Sequence, residues 1–551
     1  MSNKSIFSNK FLYLLLIVLL TSCTNSHQKS FLNLKNAFIK WYLMYNPEKA
    51  LAFGYPLDPD LKDFSSINEN IADINRFKIE LSQIDYTRLR DLSLLEFYSI
   101  KEHLDFIDYK YNYKEVHKSK PSIYIETLSR SIQSILKQNN FSEVEKISSI
   151  NKLLVGSEKL FRDCMNNIKV LTIKNKEIFI EDSERLIELL NNINNKLFSS
   201  DPNDLEMLNI YTEMTISGIK ELQFFFNDAY YKKQNIKKLF DKEVFDLIIG
   251  KKYSFNNMYL IASKKIKLIQ NQIFDISLKH YLQYNDEPIW VDRQDTLNVI
   301  SWTFDFIDEK HQKQDLSNTL VESNKKIFNY FNKIFFFNDL LSSDLVIEMD
   351  ENNYFSEPIS FSNNHFTGTK ETFCYIQNKL DETINSFDSD LYTIKNIIPR
   401  FVHSLHYENE NININDLSFE LFSDQWFYFF SNILNESEVD DFLRIWLLRD
   451  KLKCTVYMIN EYNYLKGKEE DYTKKYFKEN YFQELDYSKF LFKINNEEFY
   501  YSSKFINLQS VENLYYKFRN NPSLPKKIKK IFKEYGLVSI KSLTKNKSFN
   551  E

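Results

Sequence analysis

Two histidines in the C-terminal half of the chain have the spacing of metal ligands. His403 and His406 stand three residues apart, so on a helix their imidazole rings would share one face. Two imidazoles on one helix face can hold zinc, but a hydrolytic site also needs a group that activates the metal-bound water. The sequence His-Glu-x-x-His occurs nowhere, and Ser404 follows the first histidine. The pair alone does not predict catalysis.

Other motifs that carry chemistry are missing from the sequence. No GxSxG elbow, P-loop or GxGxxG is present, and the 7 glycines are scattered. Among 76 acidic residues, pairs of carboxylates abound and select no glycosidase site. Tyr230-Tyr231 and Tyr500-Tyr501 are aromatic pairs that could line a cleft, although such residues more often cover a core.

Three cysteines lie beyond the N-terminal region, namely Cys164, Cys374 and Cys454. They are far apart and form no CxxC pair, which argues against a disulfide framework and against a zinc ribbon. We expect them to be small buried residues.

The N-terminus has the layout of a secretory signal. Lys4 and Lys10 supply positive charge, an apolar run follows from Phe11 to Leu20, and Cys23 comes directly after Thr21 and Ser22. The apolar run is too short for a bilayer-spanning helix. Leu20-Thr21-Ser22-Cys23 resembles the lipobox of bacterial lipoproteins, which implies cleavage after residue 22 and lipid on Cys23. An ordinary secreted protein is the alternative.

Composition favours a helical protein. Only 10 prolines and 7 glycines occur in 551 residues, and long segments show the apolar periodicity of helices. The net charge is −5, and removal of Lys4 and Lys10 with the signal makes it −7. Acidic and basic residues interleave, so no nucleic-acid partner is predicted.

The periodicity predicts a mainly α fold, one large helical domain in two lobes. After the signal peptide (1–22) and a polar tether (23–30), the predicted lobes span residues 31–344 and 345–551. A short strand or loop is predicted near 345–362, and a helix near 370–388.

The layout resembles a family of bacterial helical, metallopeptidase-like proteins, the domain-of-unknown-function 885 family. The similarity begins at Pro47–Ser65, includes Leu153–Leu190 and Leu239–His280, and continues through Tyr500–Leu543. Ser254 fits the cap of a long helix in the third segment. The resemblance implies a gluzincin-like fold with a cleft between two lobes.

The resemblance also places the family's zinc motifs on altered residues. Active members carry His-Glu-x-x-Pro-Gly-His, and the corresponding window here is Pro399–Tyr407, where Ser404 replaces the general base. Asp424, followed by Gln425 and Trp426, lies where a Glu-Gly-Trp segment is expected. Further on, polar family positions are occupied by Asn460 and Tyr464, while the expected glycine is kept at 467.

Three functions follow as hypotheses. The leading one is a lipid-anchored pseudoenzyme of the bacterial envelope, without cofactor, that binds a peptide or protein partner. The second is a divergent zinc metallohydrolase that uses His403, His406 and Asp424. The third is a structural lipoprotein without a ligand. The sequence leaves open which membrane carries the anchor.

Overall fold

The computed structural model describes the chain from residue 27 to residue 545, with gaps. The residues outside this description are 1–26, 47–48, 51–66, 90, 137–140, 194–196, 199–200, 228–239, 286–292, 311–313, 336–344, 351–358, 364–371, 378–382, 385, 405–413, 418, 436–438, 522 and 546–551. The predicted lipid-attachment residue Cys23 lies outside the described residues.

The described chain is mainly α-helical, as predicted. The first part contains α1 (27–45), α2 (Ile67–Ser82), α3 (Asp91–Asp108), α4 (Ser122–Leu136), α5 (Glu143–Asn167), α6 (Ile173–Asn192), α7 (Pro202–Asn227), α8 (Lys242–Phe245), α9 (Phe255–Tyr284), α10 (Arg293–Lys310) and α11 (Leu316–Phe335). The second part contains α12 (Ser386–Tyr392), α13 (Ile398–Ser404), α14 (Ile414–Leu417), α15 (Phe419–Asn435), α16 (Asp441–Leu465), α17 (Glu470–Tyr481), α18 (Tyr487–Asn496), α19 (Tyr500–Asn520), α20 (Leu524–Tyr535) and α21 (Ile540–Lys545).

Local sequence explains where several helices begin. Ser142 accepts from the backbone N–H of Glu145, whose carboxylate accepts from the N–H of Ser142 in return, which is a capping box at the start of α5. Ser254 caps α9, as predicted, by accepting from the backbone N–H of Asn257. Helix α1 begins at residue 27, so the last four residues of the predicted tether 23–30 are helical.

Within the part of the chain that the structure describes, five short strands form two small sheets. The strands are β1 (Gln314–Asp315), β2 (Leu345–Asp350), β3 (Ile359–Asn363), β4 (Thr372–Gln377) and β5 (Thr383–Ile384). Strand β4 is central, parallel to β2 and antiparallel to β3, and β1 pairs antiparallel with β5.

The β structure extends further than the predicted element near 345–362. The predicted helix near 370–388 is wrong, because Thr372–Gln377 is the central strand of the larger sheet. β-Branched and aromatic residues suit a strand, and pairing with two strands from earlier in the chain satisfies the backbone of this segment. The remainder of the predicted helix starts only at Ser386.

Three hydrophobic cores organise the described helices. The smallest joins α1, α2 and α3 with Ile414 and Leu417 of α14. A second core lies within the bundle α4–α7. The largest contains α9, α10 and α11 together with α13, α15, α16, α19 and α20.

The largest core includes helices from both sides of residue 345, since α9 packs along α16. The division into lobes at that residue stays a prediction. Among the described helices, none is both long enough and apolar enough to cross a bilayer.

Candidate functional site

His403 lies at the C-terminal end of α13 and is buried. Its Nδ1 accepts a hydrogen bond of 2.9 Å from the backbone N–H of Leu537. An imidazole nitrogen that accepts from an amide carries no proton, so the structure assigns the proton of the neutral ring to Nε2. The Nδ1 atom is thereby occupied in holding the chain between α20 and α21.

The two residues after Asp424 hold the same segment, Leu537–Ile540, whose side chains are all buried. Trp426 donates from Nε1 to the carbonyl oxygen of Val538 at 2.8 Å. The Oε1 of Gln425 accepts from the backbone N–H of Ile540 at 2.9 Å. We call these two side chains and the histidine the C-terminal clamp, because together they satisfy buried backbone groups of the link between α20 and α21 and of the first residue of α21.

Asp424 lies on α15 beside this clamp and has a different partner. Its Oδ2 lies 3.2 Å from Nζ of Lys504 on α19. Burial would raise the pKa of Asp424, but the positive charges of Lys504 and Lys395 outweigh burial and lower it. The carboxylate is therefore ionised and paired with a lysine.

The structure describes two of the three predicted metal ligands, His403 and Asp424. His406 lies outside the described residues, and the other two candidates have the partners given above. Within the described ranges, no group of three or more His, Cys, Asp or Glu side chains could hold a metal ion. The expectation that no zinc is bound stays a prediction, which metal analysis of the purified protein tests.

The remaining positions that the family resemblance singled out lie on α16 or directly after it. Gly467 has φ of 81°, a left-handed conformation that suits glycine and ends the helix. Asn460 is fully buried, and its amide has no hydrogen-bond partner among the described residues. Tyr464 is buried in the largest core.

The pair between Asp424 and Lys504 stands within a group of lysines. We call this group the lysine recess. Its lysines come from a π-helical turn (Thr393–Ile397), α16, α18 and α19. They are Lys395, Lys453, Lys489, Lys493 and Lys504.

Lys453 lies among other cations of this group. Its side chain is exposed to water, and burial together with the positive charges of Arg449, Lys395 and Lys489 lowers its pKa against the opposing charge of Asp450.

Tyrosines line the recess between the lysines. The ammonium groups of Lys493 and Lys504 each lie 4.7 Å from the centre of the Tyr500 ring, a distance at which a cation is attracted to a ring face. Deeper in the protein, Tyr428 is buried next to Cys454.

Two lysines of the recess have no direct ion-pair partner among the described residues. Lys395 and Lys453 make no hydrogen bond or ion pair with any residue that the structure describes, whereas Lys493 pairs with Glu497 at 3.0 Å. Lys395 only faces the Phe427 ring at 5.5 Å. The recess therefore has an excess of positive charge in a chain whose net charge is −5.

The ionisation of these groups favours binding over catalysis. Burial raises the pKa of the Cys454 thiol to about 11, so the thiol is protonated and a poor nucleophile at neutral pH. Burial opposes the charge on Lys504, but Asp424 and the other neighbours raise its pKa, so it is a fixed cation. Fixed cations attract an anion but do not transfer protons at neutral pH.

Sequence patterns drew attention to Asp424 and Tyr500, but not to the recess that they share. The recess lysines are spread from position 395 to position 504 on four segments, with no spacing that marks them as a group. The π-helical turn that carries Lys395 is a local feature of a kind that is frequent at functional sites. It is visible only in the structure, so the sequence could not indicate it.

The fold is similar to two solved structures of bacterial proteins. One, from Shewanella oneidensis, is called a "putative lipoprotein of unknown function" and aligns with a TM-score of 0.68 at 14% identity, over 93% of this chain and 98% of that chain. The other, a "putative lipoprotein" from Colwellia psychrerythraea, has a TM-score of 0.62 at 10% identity, over 95% of this chain and 98% of that one. At these identities the similarity shows a shared fold alone.

No protein-family model and no curated protein matches the sequence. The resemblance to the domain-of-unknown-function 885 family therefore finds no support in these comparisons. Both similar structures instead carry names of lipoproteins without assigned function.

Proposed function

We propose that the protein is a bacterial lipoprotein, held on an envelope membrane by lipid on Cys23. The lipobox-like residues Leu20–Cys23 support the anchor. The names of the two proteins with the same fold agree with it. Which membrane carries the protein is left open.

At this membrane the protein binds a peptide or protein ligand without transforming it. The observation that carries this function is the lysine recess, where Lys395 and Lys453 form no ion pair with the described residues and the Tyr500 ring lies between Lys493 and Lys504. Aromatic side chains next to convergent charged groups suit recognition of a peptide. The use of His403 and Trp426 in the C-terminal clamp supports a pseudoenzyme over a working hydrolase.

Retention of synthetic peptides tests this function. The mature protein, purified in detergent and immobilised, is mixed with a defined library of short peptides of varied charge, and the retained peptides are quantified by mass spectrometry. We expect the double variant Lys395→Gln, Lys453→Gln to lose most of the retention, because both cations that form no ion pair with the described residues are removed.

The matched control removes two lysines elsewhere. Lys475 and Lys530 are 76% and 73% exposed, and each has only a long contact with a glutamate one helical turn away. The variant Lys475→Gln, Lys530→Gln should retain peptides as the unmodified protein does. If no peptide is retained, or if the recess variant retains as much as the control, the recess has no such function, and a structural lipoprotein without a ligand is favoured.

A further inference from the structure

Helix α9 carries large aliphatic side chains on the side that points away from the core. Its inner side belongs to the largest core, with Met258 and Ile266 among the buried residues. On the outward side, Leu260, Ile261 and Leu268 are 56%, 46% and 57% exposed. These three side chains lie within about three turns of one helix, and burial of the inner side is sufficient to hold the helix in place.

Lysines lie between these aliphatic side chains. Lys264 and Lys267 follow Leu260 at the spacing of one helix face, and both are exposed. Neither forms a hydrogen bond or an ion pair with any residue that the structure describes, whereas Lys265 pairs with Glu512 on α19. We call this surface the α9 outer face, and its members are Leu260, Ile261, Lys264, Lys267 and Leu268.

Acidic residues are absent from the sequence around this face. Residues 247–274 contain five lysines and no Asp or Glu, in a chain whose net charge is −5. Two of these lysines, Lys251 and Lys252, are exposed directly before the helix. The nearest acids along the chain are Asp246 and Asp275, at either end of this stretch. The α9 outer face is therefore positive and apolar at once, which makes it complementary to an anionic surface with an apolar interior.

Helix α7 also exposes apolar side chains but has the opposite charge. Ile210 and Met214 are 43% and 61% exposed. At helical spacing from them, the same side of α7 presents Glu206 and Glu221, which are exposed as well. Carboxylates at these positions repel an anionic surface, so α7 offers a control with similar apolar exposure.

We propose that the α9 outer face is a second membrane contact of the protein. Its aliphatic side chains enter the interfacial region of a bilayer, while Lys264 and Lys267 bind the phosphates of anionic lipids. The inference rests on the proposed location at an envelope membrane, and it is independent of the peptide ligand. A lipid on Cys23 holds the chain at one point only. Contact through α9 in addition determines which side of the molecule faces the bilayer.

Sedimentation with vesicles tests this contact in the absence of the lipid anchor. The mature chain with Cys23→Ser, produced without its signal peptide, has no thiol that can be acylated. It is mixed with vesicles of phosphatidylcholine alone, or of phosphatidylcholine and phosphatidylglycerol in equal parts, and the bound protein is measured. We expect at least about tenfold stronger binding to the anionic vesicles, and binding that weakens as salt screens the lysines.

Substitutions on α9 separate the two contributions to binding. In the chain with Cys23→Ser, the variant Lys264→Gln, Lys267→Gln should weaken binding to the anionic vesicles by about tenfold, because each lysine near an anionic surface adds attraction. The variant Leu260→Gln, Leu268→Gln should weaken it by a similar factor, about tenfold, because glutamine does not enter the apolar region of the bilayer.

The matched control is Ile210→Gln, Met214→Gln on α7. It removes apolar side chains of similar exposure next to carboxylates, and it should bind vesicles as the chain with Cys23→Ser does. Circular dichroism and urea midpoints check that each variant is folded, since all substituted side chains are exposed.

Three outcomes overturn the membrane contact. The first is equal binding to both vesicle compositions, and the second is a loss in the lysine variant no larger than in the α7 control. The third is a dimer of the Cys23→Ser chain that the α9 substitutions dissociate, seen by analytical ultracentrifugation, which assigns the face to a second copy. Failure of the lipid anchor is distinct, because it is read from the mass of Cys23 in the unsubstituted protein.

Discussion

Glu461 is a carboxylate that lies wholly inside the largest core, on α16. Its Oε2 accepts from the backbone N–H of Ser502 at 2.8 Å and from its hydroxyl at 2.6 Å, and its Oε1 accepts from the N–H of Tyr501 at 3.3 Å. These are donors of the first turn of α19, so Glu461 holds the start of the helix that brings Tyr500 and Lys504 to the recess.

Burial raises the pKa of Glu461 from 4.5 to about 7, even though these hydrogen bonds lower it. The folded protein therefore binds a proton that the unfolded chain releases between about pH 4.5 and 7. The free energy of unfolding is therefore highest below this window. It falls by on the order of 3 kcal/mol as the pH rises through the window. We predict that Glu461→Gln reduces the loss of stability between pH 5 and pH 8, measured by urea unfolding.

Other buried acids, such as Asp182 with a pKa raised by burial to about 7, contribute to both proteins alike. The difference between Glu461→Gln and the unmodified protein therefore isolates one carboxylate. An unchanged pH dependence in the variant would show that Glu461 does not titrate in this window.

His403 is predicted to stabilise the fold through its acceptor atom. His403→Leu leaves the buried N–H of Leu537 without the 2.9 Å hydrogen bond, which should cost about 1–3 kcal/mol of unfolding free energy in urea. His403→Asn is the matched variant, because its side-chain oxygen can replace Nδ1 as acceptor, and it should cost less. A leucine variant as stable as the asparagine variant would contradict a role for this hydrogen bond.

At the scale of elements, two helix glycines differ in the space around them. A Cβ on Gly218 of α7 would lie 2.8 Å from the ring of Phe161 on α5, whereas a Cβ on Gly156 of α5 would meet nothing within 4 Å. Alanine is favoured over glycine inside a helix by about 1 kcal/mol. Gly156→Ala should therefore stabilise the protein by up to about that amount.

Gly218→Ala should stabilise less than this or destabilise, because the methyl group requires Phe161 to move in a packed core. The two variants form a matched pair for urea unfolding. Equal stabilisation by both would mean that α5 and α7 do not approach as closely at Gly218 as the structure describes.

The sequence was sufficient for elements whose partners are local. Phe31, Phe38 and Trp41 recur at helical spacing, and all three are buried along α1. Thr372–Gln377 could not be assigned in this way, because its strand depends on pairing with segments 345–350 and 359–363. The recess was hidden for the same reason, since Lys395 on the π-helical turn and Lys453 on α16 become neighbours only in the folded chain.

Residues singled out in the sequence do make structural contacts, but their role differs from the predicted one. The resemblance to the domain-of-unknown-function 885 family singled out the positions of His403, Gln425 and Trp426. Their use as a clamp on Leu537–Ile540 depends on contacts more than 100 residues apart in the chain. Spacing along one helix carries no information on such distant partners.

At the scale of the whole molecule, the anchor is predicted to be covalent lipid on Cys23. Two or more acyl chains give a stable membrane anchor where one would be marginal. Mass spectrometry of the mature protein should find an N-terminal peptide that begins at Cys23 and carries the mass of lipid. An unmodified peptide spanning residues 20–26 would contradict both cleavage and lipidation.

The central proposal is that the ligand binds at the lysine recess and not at the segment Pro399–Tyr407, which contains His403. Peptide retention by two variants, measured side by side with the same synthetic library, tests it most directly. We expect the variant Lys395→Gln, Lys453→Gln to lose most of the peptide retention. The variant His403→Asn should retain peptides as the unmodified protein does, although its urea midpoint is lower. If the variant Lys395→Gln, Lys453→Gln still retained peptides and the folded variant His403→Asn did not, binding at the lysine recess would be contradicted.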